Sequence, residues 1–124
     1  MNKVAFVIER EDPRFPIHKN SIDGYNQKKI KTLSTKNLLS KTNCKKSDYK
    51  NLNIVTEKDL LKADILCSVN PIGEKLLKKI DKPTKILGIY NPSDIKKIEK
   101  LENKELLEIY SFFSLPRISR AQNM

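Results

Sequence analysis

An open α/β sheet of mostly parallel strands, with helices on both faces, is the architecture this 124-residue sequence predicts. Three observations carry it. Short runs rich in β-branched and other apolar residues recur along the chain, each the length of a buried strand. Stretches with apolar residues at helical spacing stand between them, opened by capping residues. The alternation repeats in units of about 20–25 residues, the signature of right-handed crossovers between parallel strands. No internal sequence repeat is visible.

Lys3 to Ile8 contains no polar residue after its first and reads as a buried strand. Glu9 to Pro16 holds two prolines and five charged residues, so it forms a loop. From Ser21 to Leu39 the apolar positions Ile22, Tyr25, Ile30, Leu33, Leu38 and Leu39 allow a helix followed by a short strand. Thr42 to Tyr49 is polar and basic, a surface loop or short helix. Asn53-Ile54-Val55 is a short strand. Thr56, with Asp59 three positions on, then caps a helix through Leu60 and Leu61, a cap whose loss costs about 1 kcal/mol. Ile65 to Val69 is a second buried strand, and Ile72, Leu76, Leu77 and Ile80 form one apolar helical stripe with Lys75, Lys78 and Lys79 outside it. Lys82-Pro83 ends that helix, and Thr84 to Tyr90 is a further strand. Asn91-Pro92 places a cap and a first-turn proline before a helix with Ile95, Ile98 and Leu101 on one face, ending near Glu102-Asn103. Leu106 to Tyr110 is the last strand, and Phe112 to Met124 continues as a loop. The whole is a flavodoxin- or Rossmann-like fold.

Composition narrows the function classes. Hydrophobic residues make up 38% and charged residues 32%, a globular balance with one domain's worth of core. No apolar run approaches the roughly 20 residues that cross a bilayer, and Val4 to Ile8 is too short for a signal-peptide core. A membrane channel, a secreted disulfide scaffold and a disordered tail are excluded. Cys44 and Cys67 stand far apart with His18 as the sole histidine, so neither a zinc site nor a paired-cysteine redox motif is present. Reduced, structural thiols in a cytoplasm are expected. The net charge of +10 invites a phosphate-backbone partner. Against it, only Arg10, Arg14, Arg117 and Arg120 are arginine, no aromatics interleave with the lysines, and the lysines run through the whole sequence as on solvated faces.

Chemistry-bearing motifs are few. Gly24, Gly73 and Gly88 are isolated, so the Gly-rich turn that lets a backbone approach a pyrophosphate is missing. Walker, nucleophile-elbow and HExxH patterns are absent too. Glu9, Glu11 and Asp12, beside Arg10 and Arg14, read as a solvated charge cluster. The tail from Leu115 to Met124 leaves the carboxyl edge of the predicted sheet, where α/β folds place ligands, and offers two guanidiniums and an amide.

Within that tail, Pro116-Arg117-Ile118-Ser119-Arg120-Ala121-Gln122 resembles the PRISRAQ segment in the alpha subunit of proton-translocating NAD(P) transhydrogenases, relatives of alanine dehydrogenase. The similarity reaches back through Leu106–Ser114 and through Ala63-Asp64-Ile65-Leu66-Cys67-Ser68-Val69-Asn70, covering about residues 53–124. In that family the alpha subunit binds NAD(H) and exchanges hydride with NADP(H) held by another domain, coupled to proton movement through a membrane part. The resemblance implies that Arg117 contacts the nicotinamide end of NAD(H) and that Gln122 hydrogen-bonds near the nicotinamide and its ribose. It implies an N-terminal α/β domain over 1–114. Residues 115–124 would begin the hinge toward a glycine-rich NAD-binding domain, with the chain as a fragment inactive by itself. The implied partners are the NADP-binding and membrane parts, with a homodimer as an option. The implied location is cytoplasmic, peripheral to the inner membrane through those partners, and no metal is implied.

The N-terminal half departs from the family. An acidic residue and an Arg-Val-Ala-x-x-Pro segment follow the first strand there; Glu9 and Arg14 are the counterparts here, but Arg14-Phe15-Pro16-Ile17-His18-Lys19 differs. Ser68 stands where the family has a lysine, and the Gly-Ala-Gly segment before the second helix is missing. Two alternatives remain. One is a small enzyme or ligand-binding relative of the alanine dehydrogenase N-terminal domain, requiring Arg14 to face a cleft beside Glu9. The other is a basic nucleic-acid-binding module, requiring one contiguous lysine face.

Overall fold

The computed structural model of the chain describes residues 2–14 and 19–112. Its strands are β1 (Lys3–Phe6), β2 (Lys31–Ser34), β3 (Asn53–Ile54), β4 (Ile65–Cys67), β5 (Thr84–Gly88) and β6 (Leu107–Ser111). The helices are α1 (Lys19–Gln27), α2 (Asn37–Lys41), α3 (Glu57–Leu60), α4 (Glu74–Leu77) and α5 (Pro92–Ile98), with single 3-10 turns at Lys46–Tyr49 and Lys104–Leu106. All six strands are parallel, in the order β3-β2-β1-β4-β5-β6. That is the doubly wound Rossmann order, which selects between the two architectures the alternation allowed.

Strand alternation sends side chains to two separate cores. Ala5, Val7, Leu66 and Ile86 meet Leu60 of α3, Leu76 and Leu77 of α4 and Ile98 of α5 on one face. Val4, Phe6 and Ile8 meet Ile22 of α1, Leu38 of α2 and Leu52 on the other. Sandwiched between helical layers, the central strand β1 is apolar on both sides, as the uninterrupted run in the sequence required. The second helical layer is shorter than the sheet it covers. Among the described residues no helix covers β5 and β6 on that face, and Ile89, Tyr110 and Phe112 there are 43%, 44% and 51% exposed.

Most elements lie where the sequence put them, at different lengths. Val7 has left the formal strand but still donates its N–H to the Cys67 carbonyl at 2.8 Å. The predicted cap at Thr56 is present, its side chain accepting from the Asp59 N–H. Asn91 and Asp94 form a full capping box ahead of α5. The apolar stripe from Ile72 overstated α4. Ile72 sits in the loop before the helix, because its N–H is taken by the Tyr90 hydroxyl at 2.9 Å. Likewise Leu101 lies past the end of α5, and a 3-10 turn precedes β6.

Candidate functional site

Strand order reverses between β1 and β4, so the chain leaving β1 runs back over one face and the chain leaving β4 over the other. This opens a crevice at the strands' carboxyl ends, the usual ligand position in such sheets. A cleft of about 810 Å³ fills it, walled by the loops after β1, β4 and β5 and by α5. A second cleft of about 620 Å³ lies beside it over β2 and β3 and shares Val7, Ile8 and Glu9 with the first.

The first loop owes its shape to α2. Asn37 Nδ2 donates to the Ile8 carbonyl at 2.7 Å, Lys41 Nζ to the Glu9 carbonyl at 2.6 Å, and the Asp12 N–H to the Lys41 carbonyl at 2.8 Å. Held this way, the charge cluster is still largely exposed, as its composition suggested, but Glu9 and Asp12 are tied to neighbouring loops. Glu9 Oε1 accepts from the Gly73 N–H at 2.7 Å, joining the β1 loop to the start of α4. Asp12 accepts from Arg14 Nε at 2.9 Å and Nη2 at 2.7 Å, from the Arg14 N–H at 2.9 Å and from Asn70 Nδ2 at 3.0 Å. These donors, Arg14 foremost, hold the Asp12 carboxyl well below the usual carboxylate range. The same bonds raise Arg14. Glu9, Arg10, Glu11 and Arg14 stay exposed as the sequence reading had it, and Asp12 is half-buried.

Tyr90 forms the floor. It is buried, accepts from the Ile72 N–H through its hydroxyl, and is fastened from behind by Ser111, whose Oγ bonds its backbone N–H at 2.8 Å and carbonyl at 2.6 Å. Burial pushes its hydroxyl up to about 12, leaving a neutral donor and acceptor at neutral pH. Ser68 is buried on the cleft wall and donates to the Asn70 carbonyl.

Of the residues singled out from sequence, the structure brings Glu9 and Arg14 to one cleft. Arg117 and Gln122 lie outside the described residues, as do residues 115–124 as a whole. Asp12, Asn70, Tyr90 and Ser111 were not singled out for a site. The signal that could have found them is positional, since all but Ser111 closely follow β1, β4 or β5. Among the described residues no group of three His, Cys, Asp or Glu could hold a metal ion, and no helix is long and apolar enough to cross a membrane. What this cleft offers is recognition: an oriented guanidinium, a polar floor and apolar walls.

No protein-family model matches the chain, and neither does any curated protein. Among solved structures, the fold is similar to that of a transhydrogenase from Sinorhizobium meliloti, with a TM-score of 0.74 at 17% identity. The match covers 98% of this chain and 38% of that one, so the chain spans well under half of the transhydrogenase. The two share a fold.

Proposed function

We propose that the chain is the first α/β domain of an NAD(H)-binding transhydrogenase subunit. In this reading it supplies part of the surface on which hydride passes between NAD(H) and NADP(H), and works only with its partner domains. The observation that carries the reading is the likeness to a transhydrogenase over 98% of the chain, joined to the seven-residue tail motif at 116–122. Arg117 then contacts the nicotinamide end and Gln122 its ribose, in a segment that begins at residue 115 as the hinge toward a dinucleotide-gripping domain. Hydride transfer is the cofactors' own chemistry, so the protein's task is orientation. Alone, the chain has no Gly-rich turn for the pyrophosphate and binds NADH at best at about millimolar strength.

In the assembled enzyme, Arg117→Ala and Gln122→Ala each lower hydride transfer by about tenfold or more, the usual cost of a misplaced reactant. Unchanged turnover in both overturns the reading. A second reading is favoured by one observation: Arg14 lines the cleft beside Glu9 and is aligned there by Asp12 and Asn70. It makes the chain a binder of small carboxylates through the free edge of Arg14. Calorimetry on the chain separates the two. Malonate binding lost in Arg14→Gln supports the carboxylate reading. Micromolar NADH binding lost in Arg117→Ala reveals a complete nucleotide site on this chain.

A further inference from the structure

The sequence reading spread the lysines over all solvated faces, yet the fold sorts them. Residues 19–52 carry nine lysines against Asp23 and Asp48, so +7 of the chain's +10 belongs to this segment. That segment is α1, β2, α2 and the 3-10 turn at Lys46–Tyr49, and its helices form one layer on one face of the sheet. Residues 53–112, which supply the opposite helical layer and strands β3 to β6, hold eleven lysines against ten acids, a net +1. Of these, Lys85 and Glu108, register partners on β5 and β6, lie on the basic side next to Leu87 and Tyr110 and cancel each other. The ion pairs follow the same division. Lys62, Lys79 and Lys82 of the balanced half pair with Asp59, Glu57 and Asp64. Among the described side chains, no lysine of the basic layer is in an ion pair.

Apolar exposure falls on the same side. Phe6, Cys67, Leu87 and Tyr110 are register partners across β1, β4, β5 and β6, so they share a face. Phe6 and Cys67 belong to the core under α1 and α2. Tyr110, and by alternation Ile89 and Phe112, therefore emerge on the basic side, where that helical layer stops short. Leu39 of α2, 51% exposed, adds a fourth. These four are the exposed large hydrophobics among the described residues, and each lies on the side carrying the +7.

We propose that this side is a docking surface for an anionic membrane, with the lysines of residues 19–52 attracting acidic headgroups and Ile89, Tyr110, Phe112 and Leu39 entering the interface. Lysines beside an anionic leaflet add attraction one by one, and exposed aromatic and aliphatic side chains settle at the headgroup level. A nucleic acid fits less well. The basic segment has no arginine for bidentate phosphate contacts, and exposed Ile and Leu add nothing to a phosphate backbone. The proposal uses no residue that lines the first cleft and does not use Arg117, so it stands or falls apart from the transhydrogenase reading.

Co-sedimentation with vesicles tests it. The full chain binds vesicles of phosphatidylglycerol and phosphatidylcholine, leaves pure phosphatidylcholine in solution, and is released by high salt. Replacing Lys28, Lys29, Lys31 and Lys36 with Gln weakens binding on the order of a hundredfold. The matched set Lys75, Lys78, Lys96 and Lys97→Gln, on the balanced layer, changes it by less than about threefold. Ile89→Ser with Phe112→Ser weakens vesicle binding while leaving retention on duplex DNA unchanged. Equal losses from both lysine sets, tighter binding to duplex DNA than to vesicles at the same salt, or a stable dimer burying the patch in light scattering each overturn the proposal.

Discussion

Tyr90 shows how much one side chain holds together. Its ring completes the core over α4 and α5, its hydroxyl takes the buried Ile72 N–H, and its backbone is tied to Ser111. Tyr90→Phe strands that N–H, and the expected loss is about 1–3 kcal/mol by urea unfolding. The hydroxyl also makes stability depend on alkaline pH. Its ordinary value is near 10, and in the fold burial raises it to about 12. Below pH 10 it is neutral in both states and its contribution is whole. Between about 10 and 12 only the unfolded chain releases the proton, so stability falls as pH rises. Cys67, raised by burial to about 11, acts in the same sense from about pH 9. Urea midpoints across pH 7–12 therefore start to decline near pH 9, and Tyr90→Phe removes the upper part of the decline. None of this was readable at the residue itself, because a tyrosine at a strand's end does not announce its hydroxyl's partner.

Among the elements, caps and strands were legible and lengths were not. Asn91-Pro92 and Thr56 mark helix starts by side-chain chemistry local to each start, which is why both were found. The ends of α4 and α5 depend on distant partners. Asn103, in the turn before β6, donates to the Leu77 and Ile80 carbonyls at 3.0 and 2.8 Å and so finishes α4 from 23 residues away or more. Gly88 in β5 is another case. A Cβ there would stand 2.9 Å from Tyr90 Cε1 and 3.0 Å from the Ser68 carbonyl oxygen, a backbone atom that cannot swing aside. Gly88→Ala is thus expected to destabilise by about 1–3 kcal/mol through overpacking, read as a lower thermal midpoint. Sequence marks the glycine; only the β4–β5 neighbourhood says why it is needed.

For the molecule as a whole, the uneven charge has a thermodynamic cost. Seven net positive charges on one helical layer repel one another at low ionic strength, and salt relieves this within a Debye length of about 8–10 Å at moderate concentrations. Raising sodium chloride from about 10 mM to about 500 mM is expected to raise the melting temperature by a few degrees, equivalent to about 1 kcal/mol. The variant with Lys28, Lys29, Lys31 and Lys36 changed to Gln starts higher and gains less. A melting temperature that drops with salt would mean the lysines are engaged in favourable pairs instead.

Local chemistry sufficed for the α/β class, the strand and helix succession and the caps, because hydrophobic period and capping residues act over a few neighbours. It also supplied Glu9 and Arg14 as residues of interest, through the resemblance. Strand order, the cleft between β1 and β4, and the conversion of a charge cluster into an aligned Arg14 were decided only in three dimensions. Each joins residues such as Asp12 and Asn70, 58 positions apart. The same holds for the basic side: composition supplied the +10, but which face it occupies follows from the crossover that lays residues 19–52 over one side of the sheet.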